Sequence, residues 1–233
     1  MADVAKRKKR NSCFFFKVFY TRDLLQGRFS VNTMPELPEV ETIRQDLRRK
    51  IIGHAIKSVE VRRISLVRNP LSVFKRALVN NSIADIDRRG KLLICKLAKG
   101  EYELLIHLKM TGQLIYQWDG KIIVGGHTEP SVTSDLPNKY SHIIITFDNG
   151  SRLFMNDMRA FGFMKLVQAD EKARVLSQYG PEPLSNEFTA TYLASILRGR
   201  KAPLKAVLMN QMLIAGIGNI ILKKSHCRTR HHL

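Results

Sequence analysis

The chain has 233 residues, 44% hydrophobic and 25% charged, with 39 Lys and Arg against 20 Asp and Glu, for a formal net charge of +19. That length suits one large domain or two small ones with a real core, and the basic excess points to a polyanionic partner: DNA, RNA or an anionic membrane surface, with nucleic acid preferred. Cys13, Cys95 and Cys227 form no CxxC pair, which excludes a disulfide framework and a four-cysteine zinc site, and no stretch reaches the roughly 18–20 apolar residues that span a bilayer.

Residues 1–33 combine the basic run Lys6-Arg7-Lys8-Lys9-Arg10 with a short apolar stretch from Cys13 to Phe19 that Lys17 interrupts. A signal peptide needs a longer clean apolar core and a small-residue cleavage site. The segment is expected to be a disordered basic extension without a folded role; a targeting segment or a nuclear-type basic patch is the alternative. From Glu39 the pattern turns helical, with Val40, Ile43, Leu47 and Ile51 at three- and four-residue steps. Pro38 suits the first turn and Gly53 the stop. Strands are expected at Ile56–Val61, Leu92–Leu97, Tyr102–Leu108, Gln113–Gln117, His142–Phe147, Arg152–Met155 and Phe163–Val167, with a short helix at Leu71–Leu78. Asp148-Asn149-Gly150 is a hairpin signal, and Asp119–Lys139 reads as a long loop. After Tyr179-Gly180-Pro181-Glu182-Pro183-Leu184 the helical pattern returns: Phe188, Leu193, Ile196 and Leu197 mark one helix and Pro203–Met212 a second. The glycine-rich turn Ala215-Gly216-Ile217-Gly218-Asn219-Ile220 follows, with Asn219 placed to cap a further helix. The tail from Lys223 is basic, His-rich and patternless.

The expected fold class is α+β: a helix-flanked β-sandwich over residues 34–168, then a helical segment over 169–222, between the extension at 1–33 and the tail at 223–233.

The segment Met34-Pro35-Glu36-Leu37-Pro38-Glu39-Val40-Glu41 carries distinctive chemistry. A free proline α-amine is secondary and can attack an aldehyde-like carbon to form an iminium. Within a chain the same nitrogen is a planar amide whose lone pair is delocalised. Glu36 lies beside it, just before a helix N-terminus, where a carboxylate is favoured.

Five further motifs follow in order: Arg88-Arg89-Gly90-Lys91, His107-Leu108-Lys109-Met110-Thr111-Gly112, Asp157-Met158-Arg159-Ala160-Phe161-Gly162, Gly180-Pro181-Glu182-Pro183-Leu184 and Leu213-Ile214-Ala215-Gly216-Ile217-Gly218-Asn219. Together with the segment at Met34 they resemble the formamidopyrimidine-DNA glycosylase family over residues 34–220. The resemblance implies a base-excision repair enzyme acting on damaged double-stranded DNA. It would excise 8-oxoguanine and formamidopyrimidines, then cut the strand by β,δ-elimination. It implies Pro35, Glu36 and Lys91 as catalytic residues, with Pro35 the nucleophile. Met110, Arg159 and Phe161 would fill the gap left by a flipped nucleotide. Asn219, Lys205 and His107 would meet the DNA backbone, although His107 also reads as a satisfied strand histidine. DNA is expected in a basic cleft between the sandwich and the helical part. The protein is expected to be a cytoplasmic monomer that meets DNA at the nucleoid and has no membrane contact.

Three departures from the family pattern stand out. Pro35 is preceded by Met34, so a free amine requires a start at Met34 with removal of that methionine, or cleavage of the extension. Ala160 stands where the family carries Arg or Lys, which removes one basic DNA contact. The resemblance ends after Ile220, within an incomplete helix–two-turn–helix unit. The family's C-terminal zinc finger is therefore expected to be missing and no cofactor is expected. A catalytically impaired DNA-binding remnant is the rival reading, and a general basic RNA-binding protein a third.

Overall fold

In a computed structural model, which describes residues 35–126, 133 and 135–222, the first element is helix α1 (Leu37–Ile51). The readings made for residues 1–33 and 223–233 lie outside the described residues. Helix α1 forms where its apolar spacing predicts, and Leu37, Val40, Ile43, Leu47 and Ile51 bury one stripe. Ile52 leaves the helix in an extended conformation, next to the Gly53 stop. Each of these side chains contributes about 1.5–3 kcal/mol on full burial.

The described residues fall into two compact units, one reaching Ser177 and one starting at Gln178. In the first, α1 is followed by β1 (Ile56–Val61), a 3₁₀ turn at Ile64–Leu66, α2 (Leu71–Leu78), β2 (Ile83–Arg89), β3 (Leu92–Leu97) and β4 (Glu103–His107). Then come β5 (Gly112–Trp118), β6 (Lys121–Gly126), β7 (Ser141–Phe147), β8 (Arg152–Asp157), β9 (Phe163–Val167) and α3 (Ala169–Leu176). Two antiparallel sheets result, ordered β1-β7-β8-β5-β6 and β2-β3-β4-β9. Their facing side chains share one core with the α1 stripe, including Leu93, Leu104, Ile106, Leu114, Ile145, Phe147 and Met155. Helix α3 docks by charge, through Lys172 to Glu103 at 2.6 Å and Lys165 to Glu171.

The long loop expected over Asp119–Lys139 is corrected at its start. Lys121–Gly126 pairs with β5 from Trp118↔Lys121 to Gln113↔Gly126. Asp119 and Gly120 both take positive φ, 44° and 71°, the backbone of a two-residue turn whose twist matches its strands. Strand β2 is also absent from the sequence expectations.

The second unit holds α4 (Ala190–Leu197) and α5 (Leu204–Met209). Thr189 caps α4 by accepting from the Tyr192 amide at 3.0 Å. Helix α5 stops short of the expected Met212 because the Asn210 side chain accepts from the Met212 amide, turning the chain. Ile196, Ile214 and Ile217 form a small core beneath Phe188, Tyr192 and Leu208. Gly180 is pressed against this turn: its amide donates to Gln211 O at 2.9 Å, and a Cβ there would lie 2.3 Å from Leu213 O. Gly180→Ala is expected to destabilise this unit by about 1–3 kcal/mol, because the obstacle is backbone. Hydrogen exchange will show it as faster exchange at Ile214 and Ile217 with strand β3 unchanged.

Candidate active site

Glu36 occupies the N-cap of α1, and Pro38 the second helical position. Glu39 accepts from the Glu36 amide at 3.0 Å while the Glu36 side chain turns to the Glu39 amide, the reciprocal pairing of a capping box. Pro35 is buried, and Glu36 is only 2% exposed. A carboxylate so buried needs compensation beyond a cap. Lys91 supplies part of it from the turn between β2 and β3, where Arg89 pairs with Leu92. Burial lowers the pKa of the Lys91 amine, the nearby Lys109 charge lowers it further, and the Glu36 and Glu39 carboxylates oppose both. The N-terminus of α1 and the Lys91 turn therefore form one electrostatic site.

His107 ends β4 and pairs across to Leu92, the neighbour of Lys91. Its Nδ1 accepts from the Lys109 amide at 3.0 Å, which leaves the ring proton on Nε2. Burial, with the Lys109 and Lys91 charges, pushes its pKa down to about 3. The imidazole is thus neutral near pH 7 and can offer one N–H. Because the folded pKa lies below the ordinary value of about 6.5, the stability linked to His107 is complete above that value and is lost as pH falls toward 3. His107→Gln should flatten the decline of unfolding free energy with pH across that window, as read by urea titrations at stepped pH.

Met110, Arg159 and Phe161 come together from two links, β4 to β5 and β8 to β9. The Arg159 guanidinium donates to the Met110 sulfur at 3.3 Å and lies 4.7 Å from the centre of the Phe161 ring. Met110 is 37% and Phe161 49% exposed, an apolar pair held at the surface around a cation. Lys109 and Ala160, flanking these residues in the chain, adopt positive φ of 56° and 53°, conformations that side-chain-bearing residues rarely adopt. Asp157 laces both links together. It is fully buried, accepts from the Thr111 hydroxyl, from the Arg159 amide at 3.1 Å and from the Gly162 amide at 2.7 Å. Its own carbonyl accepts from His142 Nε2 at 2.7 Å.

Lys205 and Asn219 belong to the second unit. Lys205 is exposed on α5. Asn219 is the first helical residue rather than the cap: the Leu222 amide donates to Gly218 O, which makes Gly218 the capping residue. The Asn219 side-chain oxygen is buried and has no hydrogen-bond partner among the described residues. Gln211 braces this turn by donating to Ile217 O at 2.8 Å and accepting from the Gly216 amide at 2.9 Å. Sequence reasoning missed Asp157, Gln211 and the Glu41–Arg88 pair described below. All four are polar residues inside or beside the quoted motifs, but no local pattern pairs Glu41 with Arg88.

Among the described residues no group of three or more His, Cys, Asp or Glu is placed to hold a metal ion, and no helix is long and apolar enough to cross a membrane. Cys95 is buried in β3, its thiol pKa pushed up to about 12 by burial and Glu103.

Residues 34–164 match the family model described as the formamidopyrimidine-DNA glycosylase N-terminal domain. Residues 179–232 match the H2TH domain of the same enzymes, running past Ile220 where the motifs end. Similar proteins include the formamidopyrimidine-DNA glycosylase of Pelotomaculum thermopropionicum, 38% identical over 84% of this chain and 67% of that protein. The Dinoroseobacter shibae protein of the same name is 38% identical over 80% of this chain and 64% of its own length. Among solved structures, wild-type Lactococcus lactis Fpg (MutM) in complex with DNA containing N7-benzyl-Fapy-dG aligns with a TM-score of 0.69 and 30% identity, over 81% of this chain and 65% of that one. The same bacterium's Fpg bound non-covalently to DNA with an AP site aligns with a TM-score of 0.69 and 29% identity, over 81% of this chain and 67% of that one. The chain thus spans about two thirds of the length of these relatives.

Proposed function

Because this chain belongs to the formamidopyrimidine-DNA glycosylase family, we propose that it is a DNA-repair glycosylase for oxidised purines with abasic-site lyase activity, acting on double-stranded DNA in the compartment that holds the genome. One observation carries the reading: Glu36, next to Pro35 at the N-terminus of α1, lies within electrostatic reach of Lys91.

The amine of Pro35, once N-terminal, attacks C1′ of the damaged nucleotide as the base departs, giving an iminium. The iminium acidifies the C2′ hydrogen, and loss of that proton expels the 3′-phosphate. A second elimination releases the 5′-phosphate. Glu36 moves protons at the sugar, and Lys91 holds the DNA beside the lesion. Met110, Phe161 and Arg159 enter the space of the flipped nucleotide, Arg159 serving the orphaned base. The neutral His107, Lys205 and the helix start at Asn219 meet phosphates. The chain acts as a monomer.

Protein beginning at Pro35 is expected to convert an 8-oxoguanine duplex to cut strands carrying phosphate at both sides of the gap. Products of hydrolysis alone, with an intact abasic strand, would remove the lyase half of this reading. A second reading rests on the bond between Met34 and Pro35: while it persists the nitrogen is an amide, and the chain binds damaged DNA without cutting it.

A further inference from the structure

Helix α1 and the Lys91 turn are joined by a shielded ion cluster. Glu41 Oε2 accepts from Arg88 Nε at 2.6 Å and from Arg44 Nε at 3.0 Å. Its Oε1 accepts from Arg44 Nη2 at 2.7 Å and Gln45 Nε2 at 2.8 Å. The two arginines continue into backbone: Arg88 Nη1 donates to Gly90 O at 3.4 Å, and Arg44 Nη1 to Ile86 O at 3.3 Å. Side-chain exposure is 19% for Glu41 and Arg44 and 14% for Arg88. A pair this shielded differs from a rim contact, because removing one partner strands the other charge. The helix end of the cluster lies a few residues from Glu36, and its far end is the carbonyl directly before Lys91. Burial favours a neutral Glu41, but hydrogen bonds from Arg44, Gln45 and Arg88 outweigh it and hold the carboxyl at about 2. The cluster therefore stays charged at any pH where the protein works.

We propose that Glu41 and Arg88 are positioning residues: their ion pair fixes the Gly90–Lys91 turn against α1 and so sets where the Lys91 amine stands relative to Glu36. This rests on the reading of Lys91 and Glu36 as one site. Neither Glu41 nor Arg88 needs to touch DNA for the role, which distinguishes them from phosphate-binding arginines.

Amine labelling of the full chain, followed by peptide mass spectrometry, reads Lys91 directly. Lys172, paired with Glu103 elsewhere in the same unit, is the internal control. Glu41→Gln and Arg88→Met should each raise the Lys91 labelling rate by about threefold or more, and the double variant no further than the larger single, as coupled partners require. Arg88→Lys, which keeps the charge but not the fork that reaches Gly90 O, should fall between the parent and Arg88→Met. An unchanged Lys91 rate in both single variants, additive effects in the double, or an equal rise at Lys172 overturns the proposal. The readout needs no catalysis. A chain that never captures abasic DNA but shows this response loses the functional reading and keeps the strut; a chain that captures it with Lys91 indifferent to Glu41 loses only the strut.

Discussion

Glu36→Gln should leave a folded protein that excises its lesion about 10²–10⁴-fold more slowly, the usual span for loss of a positioned acid–base group. The substitution separates the two roles of this residue. The bond from the Glu36 backbone amide to the Glu39 carboxylate does not use the Glu36 side chain and survives. A glutamine side-chain oxygen can still face the Glu39 amide, so the cap is largely retained, whereas Glu36→Ala would add about 1 kcal/mol of helix destabilisation. What glutamine cannot do is carry a proton. Lys91 also loses an opposing carboxylate, so its amine should titrate lower still. Single-turnover excision by protein beginning at Pro35, read beside its thermal melt, checks this. A rate loss no larger than the loss of folded protein would assign Glu36 to the cap alone.

The second large effect is expected at Asp157. Asp157→Ala removes the acceptor of the Thr111 hydroxyl and of two backbone amides, and the Gly162 amide is buried. Stranding such donors costs about 1–3 kcal/mol each, partly offset because Arg159 N keeps Thr111 Oγ1 as a partner at 3.0 Å. A net loss of about 3 kcal/mol, or roughly 6–12 °C in melting temperature, is expected. Asp157→Asn should be nearly as harmful, since its amide must point one N–H group at another. Both variants loosen the Met110 link against the Arg159–Phe161 link; the two stay tied through Thr111 Oγ1 and the Met110 sulfur. Excision from duplex DNA should then fall by up to about 10²-fold even in the folded fraction, because the residues proposed to fill the flipped-out space lose their common frame. Calorimetry gives the first quantity, and excision normalised to folded protein the second.

The accuracy of the sequence reading followed how local each determinant was. Helix α1 was readable because its apolar period, its proline and its capping acids lie within fifteen residues. Strands β3 and β9 were readable because apolar runs end at clear breaks. Strand β2 escaped because its pairing with β3 shifts between Ile83 and Asp85, so its buried residues Ile83 and Ile86 break the two-residue alternation. Helix α3 buries none of its residues and therefore shows no stripe. Strand β6 ends in Gly125-Gly126, which read as loop, although Asp119-Gly120 before it is a hairpin turn. In the candidate site, Glu36, Lys91 and the Met110–Arg159–Phe161 trio were singled out through the resemblance that the ordered motifs make together. The Glu41–Arg88 pair spans 47 positions and Thr111–Asp157 spans 46, and no local pattern marks such partners. Asn219 shows the opposite error: a residue type that favours caps stands one position inside the helix, because the Gly218 carbonyl takes the first helical hydrogen bond.

On the proposed mechanism Pro35 is the nucleophile and needs a free amine. Borohydride reduction in the presence of an 8-oxoguanine duplex tests it most directly, with protein beginning at Pro35 beside protein beginning at Met1. A covalent protein–DNA adduct confined to the Pro35 form, with the DNA mapped to that residue by mass spectrometry, is the predicted result. An adduct of equal yield from both forms, or none from either, would contradict it.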